Sequence, residues 1–238
     1  MNERKYFKLF KDFPHVQKVK NLIIIGTSHI AQQSIQDVKS AVLAYKPKVI
    51  AIELDQKRLH SLLHPQKRRI TLSDIRKVGF KGFLFNILAA WAEKKLGKLV
   101  STPPGSEMKT AIALAKETNS LVALIDQDIN ITLRKLSKNI TLKEKFRFIK
   151  DIILSIFIRK KSITFDLTKV PDEAIIKKLT LRMKKEYPSV HKILIEERNL
   201  IMAKALYKIM NDYKEDNVVA VVGAGHEKDI ANLIKKRW

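Results

Sequence analysis

Two short turns in this sequence end in the same way, Gly26–His29 (GTSH) and Gly223–His226 (GAGH). Each follows an apolar run and precedes a helical pattern. A glycine there permits a tight turn off a buried strand and a close backbone approach to a ligand. The histidine then falls near a helix start, where free N–H groups favour an anion or a carbonyl oxygen. A neutral imidazole in that place can bind a metal or take a proton. The competing reading is that both histidines merely cap their helices. Glu53, Asp55, Asp126 and Asp128 stand at the ends of two further apolar runs. Glu53 follows Ile52, and its carboxylate is expected to be partly desolvated. It can ligate a metal or act as a base of raised pKa, or it can cap a helix or pair with Arg58. Arg198 lies in a helical pattern on the same stripe as Leu194, Ile201 and Ala205. A buried arginine needs a partner there, either a sheet-edge carboxylate such as Glu53 or Asp126 or a substrate anion. Glu107 opens a helix, where a carboxylate offsets the helix dipole without any catalysis. His60 and His64 are spaced for one helix face, but Pro65 follows and the motif lacks a glutamate, so a solvated helix end is expected. His15 and His191 carry no motif.

These residues need a scaffold that brings them together. Leu22–Ile25, Val49–Leu54, Leu121–Ile125 and Val218–Val222 read as buried strands, rich in β-branched residues and lacking polar alternation. That pattern suits a parallel sheet covered on both faces. After the first strand, Ile35, Val38, Val42 and Tyr45 recur at helical spacing, and Lys46-Pro47 ends the helix. A long helical stretch is expected over about Leu72–Leu96. It is followed by a Pro103-Pro104-Gly105 break and then a helix from Ser106 that buries Met108, Ala111, Ile112 and Ala115. Further helices are expected at about Asn130–Lys138, Thr141–Phe157, Asp172–Glu186 and Val190–Asn211. The predicted class is α/β, a mostly parallel open sheet flanked by helices with a large inserted helical subdomain. The whole chain, 1–238, reads as one domain, with the insertion at about 130–211 between the third and fourth core strands. In such a sheet the loops at the carboxyl ends of the strands share one edge, where ligands bind. His29, Glu53, Asp55, Asp126, Asp128 and His226 should therefore converge.

Composition narrows the chemistry. There is no cysteine among the 238 residues, which excludes disulfides, thiolate nucleophiles and sulfur-bound metals. The sequence Gly223-Ala-Gly225 fails the dinucleotide fingerprint because Lys228 stands at the third glycine position, and no Walker A sequence occurs. Lys and Arg number 47 against 24 Asp and Glu, a net charge of +23 spread along the chain. No specific nucleic acid is expected, since the aromatic and glycine patterns of RNA-binding modules are missing. Peripheral contact with an anionic membrane is consistent with the charge. No run approaches the roughly 18 apolar residues of a membrane span, and the N-terminus lacks a secretory h-region, so a cytoplasmic location is expected. The apolar runs Phe83–Ala92 and Ile152–Ile158 could hide a homodimer interface.

The motifs together resemble the TraB/PrgY/GumN/Tiki family. GTSHIAQQSIQDVKSAVLAYKPKVIAIELDQKR is similar to its opening block, a G-T-x-H turn followed by an E-L-D-x-x-R strand end. PPGSEMKTAIALAKETNSLVALIDQDINITLRKL is similar to the second block, and EERNLIMAKALYKIM with VVAVVGAGH to the closing one. Three features depart from the pattern. Gln127 stands where the third-strand block has arginine, and Asp229 where a glycine commonly follows the last G-x-G-H. PrgY-like members also carry C-terminal membrane spans, which are not expected here, where the sequence ends at Trp238. The resemblance implies a metal-dependent peptidase or hydrolase acting on a peptide. Its metal would be Mn²⁺, Co²⁺ or Zn²⁺, held by His29, Glu53 and His226. Glu107 or Glu53 would be the general base, and Arg198 would hold the oxyanion or a peptide carboxylate. Gly26, Asp55, Arg58, Asp126, Gly223 and Gly225 would line the substrate. A module that sequesters a peptide or small ligand in the same cleft without turnover is the alternative.

Overall fold

A computed structural model describes residues 15–28, 32–64, 105–157 and 170–237. His29, the predicted helix at Leu72–Leu96, the run Phe83–Ala92, the Pro103-Pro104 pair and the end of the run Ile152–Ile158 lie outside the described residues. Among those described, the strands are β1 (Val16–Val19), β2 (Leu22–Thr27), β3 (Val49–Ile52), β4 (Leu121–Leu124) and β5 (Val218–Gly223). They form one five-stranded sheet in the order β1-β2-β5-β3-β4. β2, β5, β3 and β4 are mutually parallel, and β1 pairs with β2 antiparallel.

The alternation of the apolar runs explains the layers. Successive strand residues point to opposite faces, and here both faces are apolar. Ile23, Ile25, Ile50, Ile52, Val219 and Val221 pack on one side against α1 (Gln32–Tyr45) and α3 (Ser106–Glu117), through Val38, Ala41, Val42, Met108, Ala111 and Ala115. Leu22, Ile24, Val49, Ala51, Ala220 and Val222 pack on the other side against α8 (Glu197–Asp212) and α9 (Glu227–Arg237). The product is a three-layer α/β/α sandwich. Between α3 and α8 come α4 (Ile129–Asn139), α5 (Leu142–Phe157), α6 (Glu173–Glu186) and α7 (Pro188–His191); α2 (Gln56–Leu63) follows β3. α8 belongs to the core, since Met202, Ala203, Leu206 and Met210 are buried against the sheet.

Helix ends follow local chemistry. α1 stops at Lys46, whose φ of 42° is left-handed, with Pro47 next. α3 closes with Asn119 at φ 54° and the Ser120 amide bonded to the Ala115 carbonyl at 2.8 Å, a Schellman-type end. Asp55 caps α2 by accepting from the amides of Lys57 and Arg58. His60 and His64 stack at that helix's exposed end, 4.8 Å between ring centroids.

The sequence reading of four buried strands overstates β4, whose Leu121 and Val122 are exposed at the sheet edge, and omits β1. Its four residues carry Lys18 on the exposed face, and Lys20 (φ 53°) and Asn21 make the two-residue turn into β2. Such a short, charged edge strand carries little periodicity. The buried stripe of α8 is also rotated from expectation: Asn199, Met202, Ala203, Leu206 and Met210 are inward, while Ile201 and Ala205 flank them. No helix among the described residues is long and apolar enough to cross a membrane.

Candidate functional site

Strand order decides which polar residues meet. β5 lies between β2 and β3, so its terminal turn sits between the turns that follow those strands. The turns after β2 and β5 are stitched together by the Ala224 amide on the Thr27 carbonyl at 2.8 Å and by Thr27 Oγ1 on the Val222 carbonyl at 3.1 Å. Buried Ser34 of α1 steadies the turn after β2, since its Oγ accepts from the Ser28 amide and donates to the Ser28 carbonyl.

Glu53, one residue past β3, is 4% exposed. Its Oε2 accepts from the Gly223 amide at 2.6 Å. Its Oε1 pairs with Arg198 Nη2 and lies 3.5 Å from His226 Nε2. Asp126, one residue past the β4–Ile125 segment and with no exposed side-chain surface, is held between two guanidinia. Arg198 reaches it through Nε at 3.1 Å and Nη2 at 2.6 Å, and Arg58 through Nη2. Arg58 also bonds Asp55 through Nε at 2.6 Å. Three carboxylates therefore face two guanidinia along one sheet edge. The alternative pairing of Glu53 with Arg58 is not the one formed, because Asp126 on the outer strand lies between them. Asp128 stands apart from this group: it caps α4 by accepting from the Asn130 amide at 2.7 Å and pairs with Lys57 Nζ at 2.8 Å.

Arg198 is reached through an irregular helix. The residues Lys192–Glu196 form a π turn, continuous with α7 before it and α8 after it. Such a turn inserts a residue and rotates the helix beyond it, and Arg198 Nη1 donates to the Leu194 carbonyl at 3.3 Å. Nη1 also faces His226 Nε2 at 3.4 Å. All five N–H donors of the guanidinium are thus engaged, and the two on Nη1 make the longest contacts. His226 Nδ1 lies 2.6 Å from Asn199 Oδ1.

Burial alone would raise the pKa of Asp126, but hydrogen bonds and charge from Arg198, then Arg58, outweigh it and hold the carboxyl below its usual range. The same competition, with Arg58 and the α2 amides as partners, lowers Asp55. Asp37 of α1 behaves oppositely: burial pushes it up to about 6, against a smaller opposing pull from His15. Depressed pKa values stabilise the fold above the unfolded value and lose that contribution as pH falls through the folded value. A raised one stabilises only at low pH and loses the contribution as pH rises. The expected profile is an acid limb below about pH 4 from Asp126 and Asp55, and a separate loss between about 4 and about 6 from Asp37. Asp37→Asn should remove only the second loss, read from urea unfolding across that range.

The remaining candidates fall into two groups. Gly26, Gly223 and Gly225 line the joined turns, and among the described residues nothing would lie within 4 Å of a Cβ on Gly225. A Cβ on Gly26 would meet Glu227 Oε2 at 1.9 Å, so the first glycine exists to admit a side chain from beside the second histidine. Gly26→Ala should therefore destabilise, and Glu227→Ala in the same chain should recover part of the loss, as a double-mutant cycle would show. Glu107 is 1% exposed in the first turn of α3, far more buried than a dipole-compensating surface carboxylate.

The sequence reading missed Asn199, Glu227 and His15. Asn199 was findable: it lies three before Met202 and seven before Leu206, a lone amide in an apolar stripe. Glu227 and His15 are buried at 1% and 4%, with Glu227 Oε1 3.8 Å from His15 Nδ1. Nothing in their spacing marks that pair.

The TraB/PrgY/gumN family matches residues 15–236, a span that takes in the whole of this sheet edge. This chain belongs to that family. It is 34% identical over 220 residues to an uncharacterized protein of Methanocaldococcus jannaschii, covering 91% of this chain and 54% of that one. It is similar to the TraB domain-containing proteins of Bos taurus (21% identity) and Homo sapiens (20% identity), covering 90% of this chain and 62% of each. The chain thus spans between about half and two thirds of these relatives' lengths.

Proposed function

We propose that this TraB-family chain is a hydrolase that cleaves a peptide at the carboxyl edge of its sheet. The convergence of His226 Nε2 and Glu53 Oε1, 3.5 Å apart and both buried, carries this reading. Two acceptors brought together in a low-dielectric site can take a proton from water or hold a cation. The donor chemistry fits a divalent ion with N and O ligands, because two bonds of about 2.1 Å would span that spacing. His226 and Glu53 would hold such an ion, with His29 the third candidate, and it would supply a water of lowered pKa and a polarised carbonyl. Arg198 lies on the same two atoms, so any ion there shares Glu53 with a guanidinium.

The chain's own residues then have separate tasks. Where no ion is held, His226 Nε2 accepts the proton of the attacking water and passes it to the leaving amine; its single lone pair cannot do this and ligate an ion at once. Arg198 Nη1, whose two contacts are the longest it makes, turns toward the developing oxyanion. The space that the described residues leave beside Gly225 admits the peptide backbone. Glu53 stays on the Gly223 amide and keeps the turn of the last block in register with β3.

A second reading, peptide sequestration without turnover, is favoured by one observation: every donor of Arg198 is already used within the protein. The two are separated by incubating the full chain with a defined peptide mixture, in Mn²⁺, Co²⁺, Zn²⁺ or chelator, and following new termini by mass spectrometry. New termini that disappear in His226→Ala support hydrolysis. Intact peptides together with measurable binding support sequestration and remove the hydrolase. Elemental analysis of the same samples reports near-stoichiometric metal if an ion belongs to the site, and its loss in a His29→Ala/His226→Ala double variant.

A further inference from the structure

Asp229 occupies the position where the family pattern has glycine, and nothing in the proposed chemistry uses it. It is exposed on the first turn of α9, with its Oδ2 3.3 Å from Asn199 Nδ2. Asn199 is 2% exposed, and its Oδ1 lies 2.6 Å from His226 Nδ1. These contacts fix directions that no single one would. An ionised carboxylate only accepts, so the amide nitrogen must face Asp229 and the amide oxygen must face the imidazole. The amide oxygen also only accepts, so Nδ1 must carry hydrogen. In the neutral ring Nε2 is then the acceptor, and the group facing it at 3.4 Å is the Arg198 guanidinium, which can only donate. All three bonds run one way, from Arg198 to His226 to Asn199 to Asp229, and bonds aligned in this manner polarise one another favourably.

We propose that Asn199 is a positioning residue that holds neutral His226 in the Nδ1–H tautomer, and that Asp229 sets the orientation of the Asn199 amide. The consequence is that Nε2, the atom directed at Glu53 and Arg198, is the acceptor of the ring, and a proton or a cation bound there takes the place of the Arg198 contact. That consequence rests on the hydrolase reading; the tautomer does not. An imidazole ligand or base is commonly fixed by the hydrogen bond of its other nitrogen, and here a carboxylate outside the site stands behind that bond.

The test is nitrogen NMR on the full chain with labelled histidine, at a pH where the ring is neutral, with His226 assigned by the signals lost in His226→Gln. Wild type is expected to show a pyrrole-type Nδ1 and a pyridine-type Nε2. Asp229→Ala, at an exposed position, frees the amide to flip, and the Nε2–H form should appear beside the first. Asp229→Asn keeps an acceptor oxygen and should restore the wild-type spectrum, which a general loss of helix stability would not explain. Asn199→Ala should lose the preference altogether; if that variant fails to fold, the wild-type and Asp229 spectra carry the decision. A wild-type ring protonated on Nε2, or a spectrum unchanged in Asp229→Ala, overturns the proposal. A wild-type Nδ1–H ring in a chain that cleaves no peptide leaves it standing and removes only the hydrolase.

Discussion

Replacing Arg198 by methionine is expected to lower the unfolding free energy by about 3–5 kcal/mol at neutral pH, because it takes one guanidinium away from two buried carboxylates. The side chain is only 13% exposed, and it touches Glu53 and Asp126, whose side chains are 4% and 0% exposed. Methionine matches the length of the arginine stem and is a comparable helix former, so neither packing nor propensity confounds the comparison. The loss comes from Glu53, which keeps the Gly223 amide but gives up the guanidinium, and from Asp126, which keeps Arg58 and the Gln127 amide. The remedy open to the variant is to protonate a carboxylate. The difference from wild type should therefore shrink as pH falls, opposite to the behaviour of a simple packing defect. Arg198→Lys keeps the charge but cannot address two carboxylates, a carbonyl and an imidazole at once, and should recover only part of the loss. Urea midpoints at unchanged slope give the reading. A change below about 1 kcal/mol, the scale of an exposed pair, would mean that the carboxylates are solvated and that this edge is not the buried network described.

Which of these contacts the sequence announces depends on how far each rests on tertiary order. The apolar runs at Leu22, Val49 and Val218 are legible because a strand buried on both faces must be apolar throughout, and the polar residues that end them are legible for the same reason. Glu53 stands out as the first polar position after such a run, and Asp126 after the apolar run of β4, although Leu121 and Val122 there are exposed. Their partners do not, since pairing Glu53 with Arg198 and His226, and Asp126 with both arginines, follows from β5 entering between β2 and β3. No local pattern encodes that insertion. Asn199 falls between the two cases. Its spacing to Met202 and Leu206 points inward, but counting forward from Leu194 crosses the π turn and gives a stripe of the wrong phase. Gly26 shows the limit most plainly: its sequence context announces a tight turn, yet the space it leaves is filled by Glu227, about two hundred residues away.

Removing the imidazole of His226 is expected to lower kcat/KM for peptide cleavage by about 10²–10⁴, the range for loss of a positioned acid–base group. Two substitutions divide the ring's work. In His226→Asn the short amide lies near the place of Nδ1 and can still donate to Asn199, but nothing remains at Nε2. In His226→Gln the longer side chain can present an oxygen near Nε2, while the bond to Asn199 is lost. If Nε2 does the chemistry and Asn199 only aims it, the first variant should fall to the level of alanine. The second should keep a residue of activity only if Nε2 ligates an ion, because an amide oxygen can hold a cation but cannot take the proton of water. Peptide affinity should change little in either, since the ring is 6% exposed and the larger part of the cleft edge, Arg58 and Gly225 included, is untouched. A fall in kcat with KM preserved is the signature of an interaction made in the transition state. The opposite split, with KM rising and kcat constant, would place His226 in binding and return the chain to the sequestering reading, with Asn199 holding a ring that recognises its ligand.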